Sequence, residues 1–551
     1  MADDTASTKI VRHFRQILLW PLQLVPVEDG VQSQKDWELL EKAGADNPWR
    51  ELSSEFTGDQ SRFQKRHYNE FVTFLPHVQR FLYGEGRAGE SSAWHSESPM
   101  RVFRRNDIAK ARVTYVRGEA PTTFSVGHVE LYFFFDIDVV LLALEIYADD
   151  VSFARVQHTI YGLGRAYPLD WEPDGSATHC LDRVEWLSAD ERVVATSDYE
   201  QDERYLAYVS RYHAAAVASH LEFLLEPLVP HYSDELGPMR YRHIEYHRMP
   251  LMAYLAVDDP HALSRADFVR LGLAAAPGPS HTLPYSRRHL LRFEQRYCYE
   301  RHWLNEARDF GTRFVCSGRT LIVIGSANDA SFVERETGML GQFRHQYFLL
   351  FLIAHFHRAA LLMLSDRLVI TLNKLEIDNA DSVRQFKRAI RQIFEVFLRF
   401  THRYWFHDVS DQAQARDLFR MCTENLDTEK LYNEVREEIQ DMSTYLDSDT
   451  LRRQSNSMVR LTVATIFGMI LTVSTGFLGM NLIAEADAST SMKIIYFALV
   501  TLPCGLLALF AVGRSRRLSD FLDALADERL AVRAKYIALE NVFRKRTRTL
   551  R

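Results

Sequence analysis

Cysteine is scarce in this chain of 551 residues. The five cysteines lie far apart and form no Cys-x-x-Cys pair: they are Cys180, Cys298, Cys316, Cys422 and Cys504. This spacing argues against a disulfide framework and against a zinc ribbon. It fits a reducing compartment, because thiols remain unpaired there.

Signatures of catalysis and of nucleic-acid binding are missing as well. The glycines Gly162, Gly164 and Gly325 fit neither a Walker loop nor a dinucleotide-binding turn. No Ser/His/Asp or Cys/His arrangement is identifiable, so we predict that the protein is not an enzyme. A net charge of -7 provides no basic footprint for nucleic acid. The N-terminus lacks a basic region before an apolar stretch, which predicts no cleavable signal peptide.

Charge is absent from two long stretches near the C-terminus. Residues 461–484 and 494–513 contain no Asp, Glu, Lys or Arg. Since an apolar helix needs roughly 20 residues to cross a bilayer, we predict a transmembrane hairpin. Its segments are a first transmembrane helix at 457–484, an external loop at 485–493, a second transmembrane helix at 494–513 and a C-terminal cytosolic helix at 514–551.

The charges that flank the hairpin predict its orientation. Arginines precede the first stretch and follow the second, at Arg452, Arg453, Arg460, Arg514, Arg516 and Arg517. The connecting loop carries Glu485, Asp487 and only one cation, Lys493. By the positive-inside rule both flanks are cytoplasmic. We therefore expect a multi-pass protein of the cell inner membrane, with the lipid bilayer as a partner and both termini in the cytoplasm.

The preceding sequence predicts a large water-soluble body. Short apolar runs bounded by turn residues indicate a cytosolic α/β domain at 1–330. Residues 331–456 indicate a cytosolic helical region that includes the start of a long stalk helix, because no Gly or Pro occurs between Thr428 and Gly468. The fold class is thus an α/β domain followed by long helices and two C-terminal transmembrane α-helices.

Several elements of this body are predicted individually. Residues 126–148 indicate a hairpin or adjacent buried strands, and residues 17–27 a first strand. Ser264 is a predicted N-cap of a helix that extends through Leu273. The apolar run at 347–354 is predicted to be a buried core helix, because histidines interrupt it soon afterwards.

One face of the first predicted span consists of threonine, methionine and glycine. Its residues recur every three or four positions and are Met458, Thr462, Thr465, Met469, Thr472 and Gly476. Hydroxyl oxygens are weak cation ligands, and methionine forms an apolar constriction that gates by dewetting, so this stripe fits a pore lining. The alternative is helix–helix packing, because Thr and Gly are common at membrane interfaces.

The first span ends in the triplet Gly479, Met480 and Asn481. In its position, at the end of the first of two C-terminal spans, this triplet resembles the hallmark of the CorA family of divalent-cation channels. The resemblance at residue level covers about residues 456–517; before that it concerns only the architecture. The residue before the triplet is Leu478, where the family usually has Tyr or Phe.

The resemblance implies a homopentamer with a funnel-shaped cytosolic domain. Asn481 would form a ring of amide oxygens at the external mouth and select hydrated Mg²⁺, an ion that loses water reluctantly. Glu485 and Asp487 would supply an acidic mouth that concentrates cations. The family also includes Zn²⁺ and Co²⁺/Ni²⁺ carriers, so the metal remains open.

Two groups of side chains are candidates for a regulatory metal. The resemblance implies acidic residues between protomers that bind cytosolic Mg²⁺, for which the acidic pairs at Asp149, Asp150, Asp258 and Asp259 are candidates. Turn and N-cap roles are the alternative for these aspartates. If 243–247 is a strand, His243, Glu245 and His247 share one face, which indicates either a metal sensor or a polar exposed surface.

These expectations lead to two hypotheses of function. The first is passive flux of divalent metal cations, above all Mg²⁺, through a pentameric pore, with the cation as cargo or regulator and no cofactor. The second is a membrane-anchored sensor or effector whose cytosolic α/β domain binds a small ligand and gates a leak pore.

Overall fold

The chain forms two compact units, Met1–Glu437 (unit 1) and Glu438–Arg551 (unit 2). The computed structural model describes residues 9–25, 36–41, 47–52, 63–85, 98–234, 237, 239–245, 247–279, 282–303, 311–376, 380–479 and 489–513.

A mixed sheet organises unit 1, and fourteen strands belong to it within those ranges. In chain order they are β1 Ile10–Val25, β2 Trp49–Glu51, β3 Met100–Arg105, β4 Lys110–Thr114, β5 Thr122–Phe134, β6 Ile137–Ser152, β7 Arg183–Leu187, β8 Val193–Thr196, β9 Leu228–Pro230, β10 Met239–His243, β11 Leu251–Val257, β12 Cys298–His302, β13 Thr312–Cys316 and β14 Thr320–Ser326.

Hydrogen bonding connects the strands in the order β12-β13-β14-β11-β1-β6-β5-β4-β7-β8, with β10 beside β1 and β9, and β3 beside β5 and β2. The pairs β11–β14 and β9–β10 are parallel, and the other described pairs are antiparallel.

The centre of the sheet is the hairpin of β5 and β6, which confirms the hairpin predicted at 126–148. Leu131 pairs with Leu142 across it, and Asp136 turns the chain with a φ of 62°. Residues from Val139 to Leu144 are almost completely buried. A strand that is covered on both faces has a continuous apolar run rather than an alternating one, which is why this segment was recognisable.

The helices of the described ranges fall into short and long groups. The short ones are α1 Asp36–Glu41, α2 Lys65–Thr73, α3 Pro76–Tyr83, α4 Phe153–Gly162, α5 Asp202–Tyr212, α6 Ser219–Leu225, α7 Arg265–Gly272, α8 Arg287–Tyr297, α9 Ala330–Val333 and α10 Met339–Gln342. The long ones are α11 Phe348–Asn373, α12 Ala380–Arg403, α13 Ala413–Asn425, α14 Thr428–Gly479 and α15 Thr490–Gly513. A 3-10 turn, Pro260–Ala262, and a π turn, Phe343–Tyr347, complete the set.

Helix α7 begins at the predicted N-cap. The Ser264 side chain accepts from the backbone N–H of Asp267, and the Asp267 carboxylate accepts from the Ser264 N–H at 2.9 Å. This reciprocal capping box satisfies two donors that a helix start otherwise leaves unpaired. The prediction of a helix after Ser264 is therefore confirmed.

One described helical stretch, Met339–Asn373, is long and apolar enough to cross a membrane, and 83% of its most apolar window is buried inside the protein. Helix α11 makes up most of it and packs against β1 and β6. His355 and His357 contact the carbonyl oxygens of Gly318 and Tyr404 at 3.2 and 2.6 Å. Burial lowers the pKa of each imidazole to about 4, so both remain neutral. The predicted buried core helix is confirmed.

The sheet and the helices from α10 to α13 belong to the same unit, whereas α14 continues from unit 1 into unit 2. The predicted boundary between 330 and 331 thus marks a change of secondary structure within unit 1.

Candidate functional site

Helix α14 contains 52 residues and begins at Thr428, as predicted for the stalk helix. At 1.5 Å per residue this corresponds to about 78 Å of helix. Its first glycine is Gly468 and it contains no proline, so the backbone hydrogen bonds continue without a break. The described part of the helix extends to Gly479.

The predicted pore stripe lies on this helix. At 100° per residue its members fall within about 40° of one direction. Met458 and Met469 are 66% and 68% exposed. Leu461 and Ile466 on neighbouring faces are also exposed, so exposure alone does not separate the pore interpretation from helix packing.

The threonine hydroxyls of the stripe bond to their own helix. Thr462, Thr465 and Thr472 each donate to the carbonyl oxygen four residues earlier at 2.9 Å. This bond uses the hydroxyl hydrogen and leaves the lone pairs of the oxygen available. The stripe therefore presents acceptors rather than donors, which suits a cation or its hydration water.

Glycines leave open space along α14. A Cβ added at Gly468, Gly476 or Gly479 would meet no atom within 4 Å. Packing within the described chain thus does not require glycine at these positions. Small residues of this kind let a second backbone approach closely in a membrane.

The rest of the predicted selectivity motif and mouth lies outside the described residues, namely Met480, Asn481, Glu485 and Asp487. Helix α15 begins at Thr490, four residues before the predicted second span. The backbone N–H groups of Met492 and Lys493 donate to the Ser489 carbonyl oxygen, so the helix starts within the predicted loop. Apolar side chains on α15 are exposed, including Ile494, Leu499, Leu502 and Leu506.

The structure brings one aspartate of each acidic pair to Arg12 on β1. Its guanidinium donates to Asp258 at 2.8 and 3.0 Å and to Asp150 at 3.0 Å. Hydrogen bonding from Arg12 lowers the pKa of Asp258. A cation of the protein itself therefore occupies the position between these carboxylates.

The other two aspartates also have structural roles. Asp149 contacts the His13 ring at 2.8 Å, and Asp259 caps the 3-10 turn through the N–H of His261. Among the described residues no group of three or more His, Cys, Asp or Glu side chains is arranged to hold a metal. Within one chain Asp259 has the predicted cap role, and the other three aspartates form ion pairs. A metal bound between protomers stays a prediction.

The hypothesis of a metal sensor at 243–247 is wrong. Strand β10 ends at His243, whose ring stacks on Trp20 with centroids 5.0 Å apart. Glu245 instead accepts from Arg358 at 3.0 Å, and His247 contacts Arg165. Burial lowers the pKa of His243 to about 3 and that of His247 to about 4. Different partners hold the three side chains, so they form no common ligand set.

A cavity of about 560 Å³ in unit 1 was not predicted. It lies between β3, β5 and the segment that leads into α11, and ionisable side chains are prominent in its lining: Glu51, Arg66, Glu70, Arg101, Arg104, His128, Glu130, Arg344 and His345. Its signal in the sequence was the presence of Glu130 and Glu145 inside otherwise apolar strands, because buried charges require partners.

Glu145 is the most buried of these charges, with no exposed side-chain surface. Arg15, Arg344 and His128 each lie 3.0 Å from its carboxylate oxygens. Burial raises the pKa of Glu145, but the His128 hydrogen bond and the charges of His128, Arg344 and Arg15 outweigh burial and lower it. The carboxylate is therefore ionised.

Two carboxylates, Glu145 at 3.0 Å and Glu130 at 3.8 Å, favour the protonated form of His128. Burial disfavours its charged form, but Glu130 and Glu145 outweigh burial and raise its pKa. Glu130 also accepts from Tyr132 at 2.5 Å and from Arg104 at 2.8 Å. The floor of the cavity is thus a fixed array of charges.

No protein-family model and no curated protein matches this sequence.

Proposed function

We propose that this protein is a channel of the CorA type that conducts divalent metal cations, with Mg²⁺ as its main cargo. The observation that carries the proposal is the stripe of threonine, methionine and glycine on the unbroken helix α14, whose described part extends to the glycine of the Gly-Met-Asn triplet. Five copies of α14 would surround the path of the ion, and α15 would lie outside them. Zn²⁺ and Co²⁺/Ni²⁺ are the alternative cargoes.

The exposed apolar side chains of α14 and α15 support a membrane location. A soluble protein rarely leaves a large contiguous apolar surface uncovered, whereas a lipid bilayer covers it without cost. In this proposal both helices span the inner membrane, and both termini are cytoplasmic because arginine flanks the pair.

Each part of the path would act on the hydrated ion. The amide oxygens of Asn481 would accept hydrogen bonds from the first-shell waters of the cation, which selects Mg²⁺ without removing its water. Glu485 and Asp487 would raise the local cation concentration. Inside the membrane the threonine oxygens would replace bulk water, and Met469 would form an apolar constriction that closes by dewetting.

Flux into liposomes tests this proposal. The purified protein is reconstituted, and uptake of Mg²⁺, Zn²⁺, Co²⁺ and Ni²⁺ is followed with metal-sensitive dyes. We expect Asn481→Ala to reduce Mg²⁺ uptake at least tenfold, and the matched control Asn373→Ala, at an exposed position in α11, to leave it unchanged. Equal uptake of every metal by wild type and Asn481→Ala would refute the role of Asn481.

A second candidate is a sensor or effector that opens a leak pore on binding a small ligand. The cavity in unit 1 favours it, because its volume lies in the range of about 300–1,000 Å³ that is typical of ligand sites. Ion flux that requires an added cytosolic compound would favour this candidate over constitutive metal uptake.

A further inference from the structure

The cavity of unit 1 has more positive than negative charge. Four arginines line it, namely Arg66, Arg101, Arg104 and Arg344, and the protonated His128 adds a fifth cation. The lining carboxylates are Glu51, Glu70 and Glu130, with Glu145 directly behind them. Five cations against four carboxylates leave one positive charge in excess when His345 is neutral.

One donor on the cavity floor lacks an acceptor. The Nδ1–H of His128 donates to Glu145 at 3.0 Å, while its Nε2 is buried without a hydrogen-bond partner in the described structure. Glu130 lies 3.8 Å from Nε2, which is beyond hydrogen-bonding distance. Because an unpaired buried donor costs about 1–3 kcal/mol, this N–H is suited to an acceptor that enters the cavity.

The carboxylates hold the arginines in fixed positions. Arg104 is paired with Glu130 at 2.8 Å, and Arg101 with Glu51 at 2.5 Å. A guanidinium has five donors, and the ion pair of Arg104 with Glu130 uses two of its nitrogens, Nε and Nη2. Fixed guanidinium groups bind phosphate and carboxylate well because little side-chain entropy remains to be lost.

The walls beside these charges are apolar or aromatic. Leu82, Met100, Val102, Phe348 and Leu349 line the cavity together with Tyr83 and Tyr132. A ligand site of mixed character, with a few polar groups that fix orientation and apolar walls that contribute burial, is typical of small-molecule recognition.

We infer that this cavity binds a small organic anion whose phosphate or carboxylate group accepts from His128 Nε2 and Arg104. The inference goes beyond ion conduction and names a binding site within unit 1. It would hold whether or not the hairpin conducts cations, since binding is measured separately from flux.

Calorimetric titration of the full-length protein in detergent tests the inference. The probes are inorganic phosphate, AMP and citrate, with adenosine as the uncharged control. We expect at least one anionic probe to bind and adenosine not to bind. The phosphate and carboxylate arms then distinguish the two chemistries.

Two cavity variants and one control locate the binding. His128→Gln and Arg104→Gln each remove a cation from the floor, and we expect them to weaken binding at least tenfold. Arg192→Gln removes the same charge from an exposed ion pair with Asp190 outside the cavity, and we expect it to leave the affinity unchanged. If all three variants weakened anion binding equally, the inference that the anion binds in this cavity would be wrong.

A cavity-filling variant distinguishes a blocked binding site from a loss of folding. Met100→Trp fills the space without changing any charge, and its thermal unfolding midpoint without ligand shows that the fold persists. Abolished binding in this folded variant supports the inference. Unchanged binding in it, or the absence of binding by every anionic probe to wild type, contradicts the inference.

Discussion

At the scale of single residues, Glu145 connects three side chains of unit 1, namely Arg15, His128 and Arg344. It reaches Arg15 on its own sheet and Arg344 from the π turn. Gly127 stands opposite, and an added Cβ there would lie 2.3 Å from a Glu145 oxygen. Glycine is therefore required at this position by the close approach of the carboxylate.

Replacing Glu145 by glutamine tests the strength of this network. The variant keeps the shape but leaves two arginines and His128 without their shared anion. Because breaking a buried ion pair costs about 3–5 kcal/mol, we expect the free energy of unfolding in urea to fall by about 3 kcal/mol. Glu191→Gln breaks the exposed pair with Lys110, and we expect it to leave the free energy of unfolding almost unchanged because solvent screens exposed ion pairs. An equal decrease in the free energy of unfolding in the two variants would contradict a stabilising role of the Glu145 network.

The same groups predict the dependence of stability on pH. Because the pKa of His128 is raised on folding, its protonation stabilises the folded protein. This contribution to the free energy of unfolding is complete below the unfolded pKa of about 6.5 and is lost as pH rises through the folded pKa. Because the pKa of Glu145 is lowered on folding, its ionised form also stabilises the folded protein. This contribution to the free energy of unfolding is present above the unfolded pKa of about 4.3 and is lost as pH falls through the folded pKa.

We therefore expect the stability of the wild type against urea to decrease as pH rises above the unfolded pKa of His128. We expect no such decrease in His128→Gln. The unfolding midpoint in urea, measured by tryptophan fluorescence from pH 6 to pH 10 in one detergent, checks this expectation. Parallel pH profiles of the two proteins would contradict it.

At the scale of elements, local patterns were sufficient for much of the fold. The β5–β6 hairpin followed from its apolar runs and turn, helix α7 from the cap at Ser264, and α14 from the absence of Gly and Pro. Each of these signals lies within a few residues of the element that it specifies.

The cavity was not predictable in the same way. Its lining comes from the strands β2, β3 and β5, the helices α2, α3 and α11 and the π turn, and Arg344 approaches Glu145 across 199 residues of sequence. The bend after His243 was also missed, and it removed the shared face that alternation predicted for His247. Such features depend on tertiary contacts, which a single sequence does not display.

Helix α14 offers a matched test of the pore stripe. Thr472 lies on the stripe, whereas Thr475 lies about 100° from its centre, and both hydroxyls donate to backbone carbonyls of α14. We expect Thr472→Val to change Mg²⁺ flux in liposomes several-fold, because it removes an oxygen from the path, and Thr475→Val to leave flux near wild type. A larger effect of Thr475→Val would place the pore on another face.

At the scale of the whole molecule, the chain joins a charged, ligand-sized cavity in unit 1 to exposed apolar helices in unit 2. The proposed channel requires several copies, because one α14 cannot enclose a path. The inferred anion site requires only one. The two claims therefore fail independently, and a result against one leaves the other intact.

Cryo-electron microscopy of the protein in lipid nanodiscs tests the central claim most directly. The account predicts a five-fold assembly with a continuous axial passage, and Met458, Thr465, Met469 and Thr472 facing it. A reconstruction in which these side chains pack against neighbouring helices or face lipid, with no passage on the axis, would contradict the account.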